Sequence, residues 1–198
     1  GYTVFTDSVD GSGEKEGVYY QYFDADLGRP VVNEGKDGLQ KLDYAIYKAE
    51  QEGVRLLITF TNNWEAFGGM NQYVKWAKLA GENVTGHDDF YTNETIKGWY
   101  KDYIKTLLNH ENVYTGVKYK DDPTIFSWEL ANEPRCESDA GCENHVVENW
   151  ASEMSAYVKS IDSNHMLAVG DEGFYNYGYN DFPEGDHKYV YHGSSGMD

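Results

Sequence analysis

Between Asp122 and Arg135 the chain reads DPTIFSWELANEPR, and its two glutamates, Glu129 and Glu133, are the side chains best placed to do chemistry. Asp122 and Pro123 mark a turn. Ile125, Phe126 and Trp128 then supply the β-branched and aromatic residues of a strand, and Pro134 ends it, having no N–H for the ladder. A parallel strand covered on both faces reads as an almost unbroken apolar run, so carboxylates within it are costly unless hydrogen-bonded or used. A carboxyl buried at a strand end titrates above its ordinary range and can serve as a general acid. Glycoside hydrolysis needs such an acid for the leaving oxygen and a second carboxylate as nucleophile or base. Asn132 is placed to hydrogen-bond a sugar hydroxyl beside Glu133. From spacing alone, a structural carboxylate capping the next loop fits Glu133 equally well.

The elements that must position this segment alternate. Leu39, Leu42, Ala45, Ile46 and Ala49 recur at helical spacing and predict a helix from Gly38 to Glu52. Val54 to Phe60 reads as a strand and Met70 to Leu79 as a helix. A longer helix follows from Asn93 to His110, buried through Ile96, Trp99, Tyr100, Tyr103, Ile104, Leu107 and Leu108. After the strand Thr124 to Ala131 come a helix from Glu143 to Ile161, a strand from Met166 to Gly170 and the start of another strand at Lys188. Residues 1–37, rich in Gly, Asp and Glu, read as a long loop region with a short hairpin near Val18 to Phe23. The class is α/β with a parallel sheet. Each strand ends in polar residues: Asn62 and Asn63, Asn132 and Glu133, Asp171 and Glu172. Parallel sheets bind ligands at those carboxyl ends. Three full strands and the start of a fourth fall short of a barrel, which needs eight strands and about 250 residues, so the sequence reads as part of one.

Composition narrows the partners. A net charge of −18 repels phosphate backbones and anionic lipid, so neither nucleic acid nor membrane is expected. Eighteen Tyr, 5 Trp and 8 Phe supply flat apolar faces with polar edges, which suit sugar stacking, although most are read as loop and core fillers. No signal-peptide apolar region or membrane-length span is evident. Cys136 and Cys142 form a disulfide if the protein is secreted, worth about 2 kcal/mol for so short a loop, and are free thiols otherwise. The sequons at Asn83 and Asn93 are compatible with secretion. His87, Asp88 and Asp89 could ligate a metal, but a solvated loop is the better reading. No phosphate loop, zinc spacing or nucleophile elbow occurs, so no metal and no cofactor is expected.

The segment IFSWELANEPRC resembles the acid/base segment of glycoside hydrolase family 5. RLLITFTNNWEAFGGMNQYVKWA, DDFYTN, YTGVKYKDDPTI and VGDEGF are similar to the corresponding stretches of the endo-β-1,4-mannanases in that family. The likeness covers roughly Gly38 to Gly173. It implies a partial (β/α)8 TIM barrel lacking the first two and the last two or more strands, with residues 1–198 an incomplete catalytic domain. It implies a retaining hydrolase with Glu133 as acid/base and Asn132 binding the 2-hydroxyl of the attacked sugar. It further implies that Trp64 lines the groove and that Arg135 and Glu172 contact its aglycone side. Trp64 as an ordinary packed aromatic, and Arg135 as a salt-bridge partner of Glu172, stay open; Glu129 is given a supporting role inside the barrel. The family's nucleophile and the strand carrying its active-site arginine have no counterpart here, so the isolated chain is expected to be inactive. The expected substrate is a neutral β-mannan, whether mannan, glucomannan or galactomannan, cut by a secreted protein that is a monomer when complete. A cellulase-type enzyme of the same family, or a non-catalytic polysaccharide-binding barrel fragment, are the rival readings.

Overall fold

The computed structural model describes residues 2–5, 18–65, 67–138 and 145–172. The expected strand at Lys188 and Cys142, with its pairing to Cys136, lie outside them.

Four parallel strands form one sheet in the order β1 (Tyr2–Phe5), β4 (Leu56–Thr59), β5 (Ile125–Glu129) and β6 (Met166–Ala168). Between β1 and β4 come an antiparallel hairpin, β2 (Gln21–Asp24) with β3 (Arg29–Val32), and helix α1 (Leu39–Gln51). Helices α2 (Gly69–Leu79), α3 (Asp89–Thr92) and α4 (Glu94–Asn109) join β4 to β5, and α5 (Val146–Ile161) joins β5 to β6. Neighbours in the sheet follow chain order apart from the hairpin, so right-handed crossovers lay every connecting helix on the same face.

The reading of residues 1–37 as loop requires correction. Tyr2–Phe5 pairs in register with Leu56–Thr59, and the hairpin runs to Val32 instead of closing within Val18–Phe23. Tyr2–Phe5 and the hairpin's second strand are not visible in local composition because each is fixed by the strand it pairs with.

The helices form where apolar spacing demanded them. Leu39, Leu42, Ile46 and Ala49 are the buried stripe of α1, and Val147, Trp150, Met154 and Val158 that of α5. Asn93 caps α4, its Oδ1 accepting from the Ile96 N–H at 3.0 Å, which satisfies one of the orphan donors of the first turn. Under the sheet Phe60 stacks on Trp128 at 5.1 Å, and Tyr73, Phe90, Tyr100 and Trp150 meet edge-on or stacked in a second aromatic layer.

A register shift between β4 and β5 sets what the site receives. Pairing jumps from Leu56 with Ile125 to Leu57 with Ser127, so Phe126 is an extra residue and is 56% exposed. Strand β5 is therefore not buried along both faces, as its apolar run suggested. The extra residue keeps Ile125 and Trp128 on the helix side while Ser127 and Glu129 pair with Leu57 and Thr59 on the other.

Candidate active site

Three strand ends converge. Beyond β4 and β5, Asn62 and Asn132 continue the parallel pairing as an isolated bridge, with Asn132 N–H donating to Thr61 O at 2.9 Å and Asn63 N–H to Asn132 O at 3.0 Å. Glu133 N–H reaches across to Gly170 O, beyond β6, at 3.0 Å. Residues 62, 132, 133 and 170 are thus one hydrogen-bonded rim.

Two glycines let the rim close. A Cβ on Gly170 would stand 1.7 Å from Ala131 O, and one on Gly69 would stand 2.0 Å from Trp64 O. Both have positive φ, at 93° and 62°. Each allows one backbone to lie directly against another, which only glycine permits.

Glu133 has φ 54°, in the left-handed region that a glutamate rarely adopts. Pro134 adds to the strain, because the residue before a proline is driven towards extended backbone. Strain of this kind persists only where surrounding contacts over-determine it. Here these are the bond to Gly170 and a 2.6 Å hydrogen bond from Trp64 Nε1–H to Glu133 Oε2.

The sequence-derived site residues come together around that carboxylate. Trp64 is 42% exposed at the rim, not packed in the core. The Arg135 guanidinium lies over its ring at 5.0 Å and forms an ion pair with Glu172. Asn132 Nδ2 donates to Asn62 Oδ1 at 3.0 Å. Glu129, four residues earlier at the end of β5, accepts from Thr59 Oγ1 at 2.8 Å; burial pushes its carboxyl up, and the Thr59 bond only partly offsets this. Cys136, the next residue in the chain after Arg135, is buried.

What the sequence reading missed stands behind the rim. His87 is 7% exposed, so the segment taken for a solvated loop is a built polar cluster. Asp88 accepts from the N–H groups of Glu137 and Ser138 at 2.9 Å each and from Ser138 Oγ, while Tyr91 OH donates to Arg135 O at 2.9 Å. Asp89 turns the other way, accepting from Thr85 and Gly86. The string DDFYTN was the available signal, but its partners lie some fifty residues on. Among the described residues no group of three His, Cys, Asp or Glu side chains could hold a metal, and no helix is long and apolar enough to cross a membrane.

A strand-end glutamate in a rim of asparagines, an exposed tryptophan and an arginine is a set suited to protonating an oxygen on a neutral, ring-shaped ligand. The family model for GH family 5 beta-mannosidase-like proteins matches residues 30–188. The chain belongs to that family. Among curated relatives, tomato (Solanum lycopersicum) mannan endo-1,4-beta-mannosidase 4 is 52% identical over 136 residues, covering 69% of this chain and 34% of its own. Arabidopsis thaliana mannan endo-1,4-beta-mannosidase 3 is 51% identical, covering 69% and 32%. The solved endo-1,4-beta-mannanase of Rhizomucor miehei superposes with a TM-score of 0.83 at 44% identity, over 99% of this chain and 53% of that one. The four parallel strands are thus one wall of the (β/α)8 barrel of family 5, and the chain spans about a third of the curated relatives' length.

Proposed function

We propose that the protein containing this chain is a retaining endo-β-1,4-mannanase acting on mannan, glucomannan or galactomannan. The observation that carries the reading is Glu133, held in a strained backbone at the carboxyl end of β5 with its carboxyl turned to Trp64. In this reading Glu133 first protonates the leaving oxygen and then, as a carboxylate, takes a proton from the attacking water. A second carboxylate about 5 Å away attacks the anomeric carbon. Asn132 holds the 2-hydroxyl of the attacked sugar. Trp64 offers a ring face to the next sugar, and Arg135 with Glu172 lines the aglycone side. The attacking carboxylate is assigned to a residue outside these 198, so the 1–198 protein alone turns over no mannan. A secreted monomer and a Cys136–Cys142 disulfide complete the proposal.

The test uses the full-length gene. Glu133→Gln should lower the rate on galactomannan by at least about 100-fold, the usual worth of a general acid. A smaller loss refutes the assignment. Parallel rates on cellulose decide against a β-glucan enzyme, and hydrolysis of mannan by pure 1–198 protein would overturn the placement of the nucleophile.

A further inference from the structure

We propose that Asp88 is a positioning residue for the substrate cleft: it fixes the turn carrying Arg135 and, through Arg135, the indole of Trp64 against Glu133. The proposal rests on the acid/base reading of Glu133.

Arg135 sits on a segment that has left the sheet at Pro134 and has no ladder to hold it. Its main chain is instead held by side chains from elsewhere. Asn63 Oδ1 accepts from its N–H at 3.3 Å, and Tyr91 OH donates to its carbonyl at 2.9 Å. The next turn is anchored by Asp88 alone among the described carboxylates, through two backbone N–H groups and the Ser138 hydroxyl. His87 completes the shell, with Nδ1 at 3.0 Å from Asp88 Oδ1 and Nε2 at 3.7 Å from Glu137 Oε1. Burial opposes ionisation of Asp88. The hydrogen bonds from His87, Ser138 and the two backbone N–H groups outweigh it and hold the carboxyl down at about 2. Asp88 is therefore a fixed anion across the range in which a glycosidase works, and an anchor, not a proton carrier.

The effect reaches the cleft because Trp64 is exposed on its free side. Its orientation depends on the guanidinium at 5.0 Å and on its bond to Glu133. Ordering a flexible arginine has a large entropic cost, and anchoring its backbone on both sides reduces the arrangements it can take. Without Asp88, residues 136–138 gain freedom, the Arg135 guanidinium is held less closely over the indole, and the ring meets the sugar in fewer productive poses.

Full-length enzyme carrying Asp88→Ala, Arg135→Ala and both changes should be assayed on mannan oligosaccharides beside a melting curve. Asp88→Ala should raise KM about 5-fold while kcat stays within about 3-fold, a loss of uniform binding. The double variant should be no worse than Arg135→Ala within about 2-fold, because both changes remove one coupled interaction. A lowered melting point with unchanged KM, or effects that multiply in full, makes Asp88 a plain loop cap and overturns the proposal. Should Asp88→Ala not fold, Asp88→Asn, which keeps one acceptor oxygen, carries the same cycle: a raised KM that vanishes in the Arg135→Ala background supports positioning, and an unchanged KM refutes it. Glu133→Gln with full rate would refute the acid/base reading instead, and is scored separately from these KM values.

Discussion

The indole N–H of Trp64 donates to Glu133 Oε2 at 2.6 Å, joining the loop after β4 to the end of β5 across the mouth of the sheet. Trp64→Phe removes the donor and keeps a ring. A side-chain hydrogen bond contributes about 1 kcal/mol net, so kcat/KM should fall about 5-fold. Initial rates of the full-length enzyme on a mannan oligosaccharide measure it, and an unchanged value removes the bond from the mechanism.

Stability should peak in mildly acidic solution. His110 places Nδ1 3.1 Å from Glu34 and Nε2 3.0 Å from Asp43, and His165 faces the Asp162 carboxylate and the Asp122 carbonyl. An acceptor at each nitrogen favours the doubly protonated form of both rings. Burial disfavours these cations, but their partners outweigh it and raise both pKa values above 6.5. A raised histidine stabilises fully below its unfolded value and stops doing so as pH climbs through its folded one. Asp88 and Asp162 are held at about 2 against burial by their hydrogen bonds, so their contribution is present above about 4 and lost below it. Urea midpoints should therefore be highest between about pH 4 and 6.5. They should fall on the alkaline side, with His110→Gln and His165→Gln flattening that fall. A midpoint rising from neutral to alkaline pH contradicts the assignment.

Gly170→Ala should be among the most damaging single-methyl changes in the chain. Its Cβ would overlap Ala131 O and approach Glu129 Cγ at 2.8 Å, with φ already at 93°. A loss of about 3 kcal/mol or more is expected. Gly98→Ala in α4, where a new Cβ meets nothing within 4 Å, should instead stabilise by up to about 1 kcal/mol. Melting curves of the pair make the comparison, and equal effects would refute the crowding at the rim.

The sequence revealed what is local and hid what is paired. The stripe of Leu39, Leu42, Ile46 and Ala49 declares α1 because helical burial repeats within one turn. Glu133 stands out because it ends an apolar run. Tyr2–Phe5 did not, since four residues among glycines and acids become a strand only beside Leu56–Thr59. Phe126 looked like core until the register shift made it the surplus residue. Asp88 looked solvated because its donors, Glu137 and Ser138, are far along the chain. The roles given to Asn132, Trp64, Arg135 and Glu172 came from family resemblance; what the structure adds is that Trp64 bonds Glu133 and carries the Arg135 guanidinium over its ring.

In the proposed acid/base role, the left-handed backbone at Glu133 sets endurance against turnover. A chain chosen for folding alone would carry glycine or asparagine there, and Glu133→Asn should melt a few degrees higher, a gain of about 1 kcal/mol, while losing its chemistry. Differential scanning calorimetry of that variant is the check. Heat-based selection that scores only folded protein would therefore discard Glu133 first, and hardening a protein that works by the proposed mechanism means reinforcing the rim around Glu133 while leaving the residue itself in place.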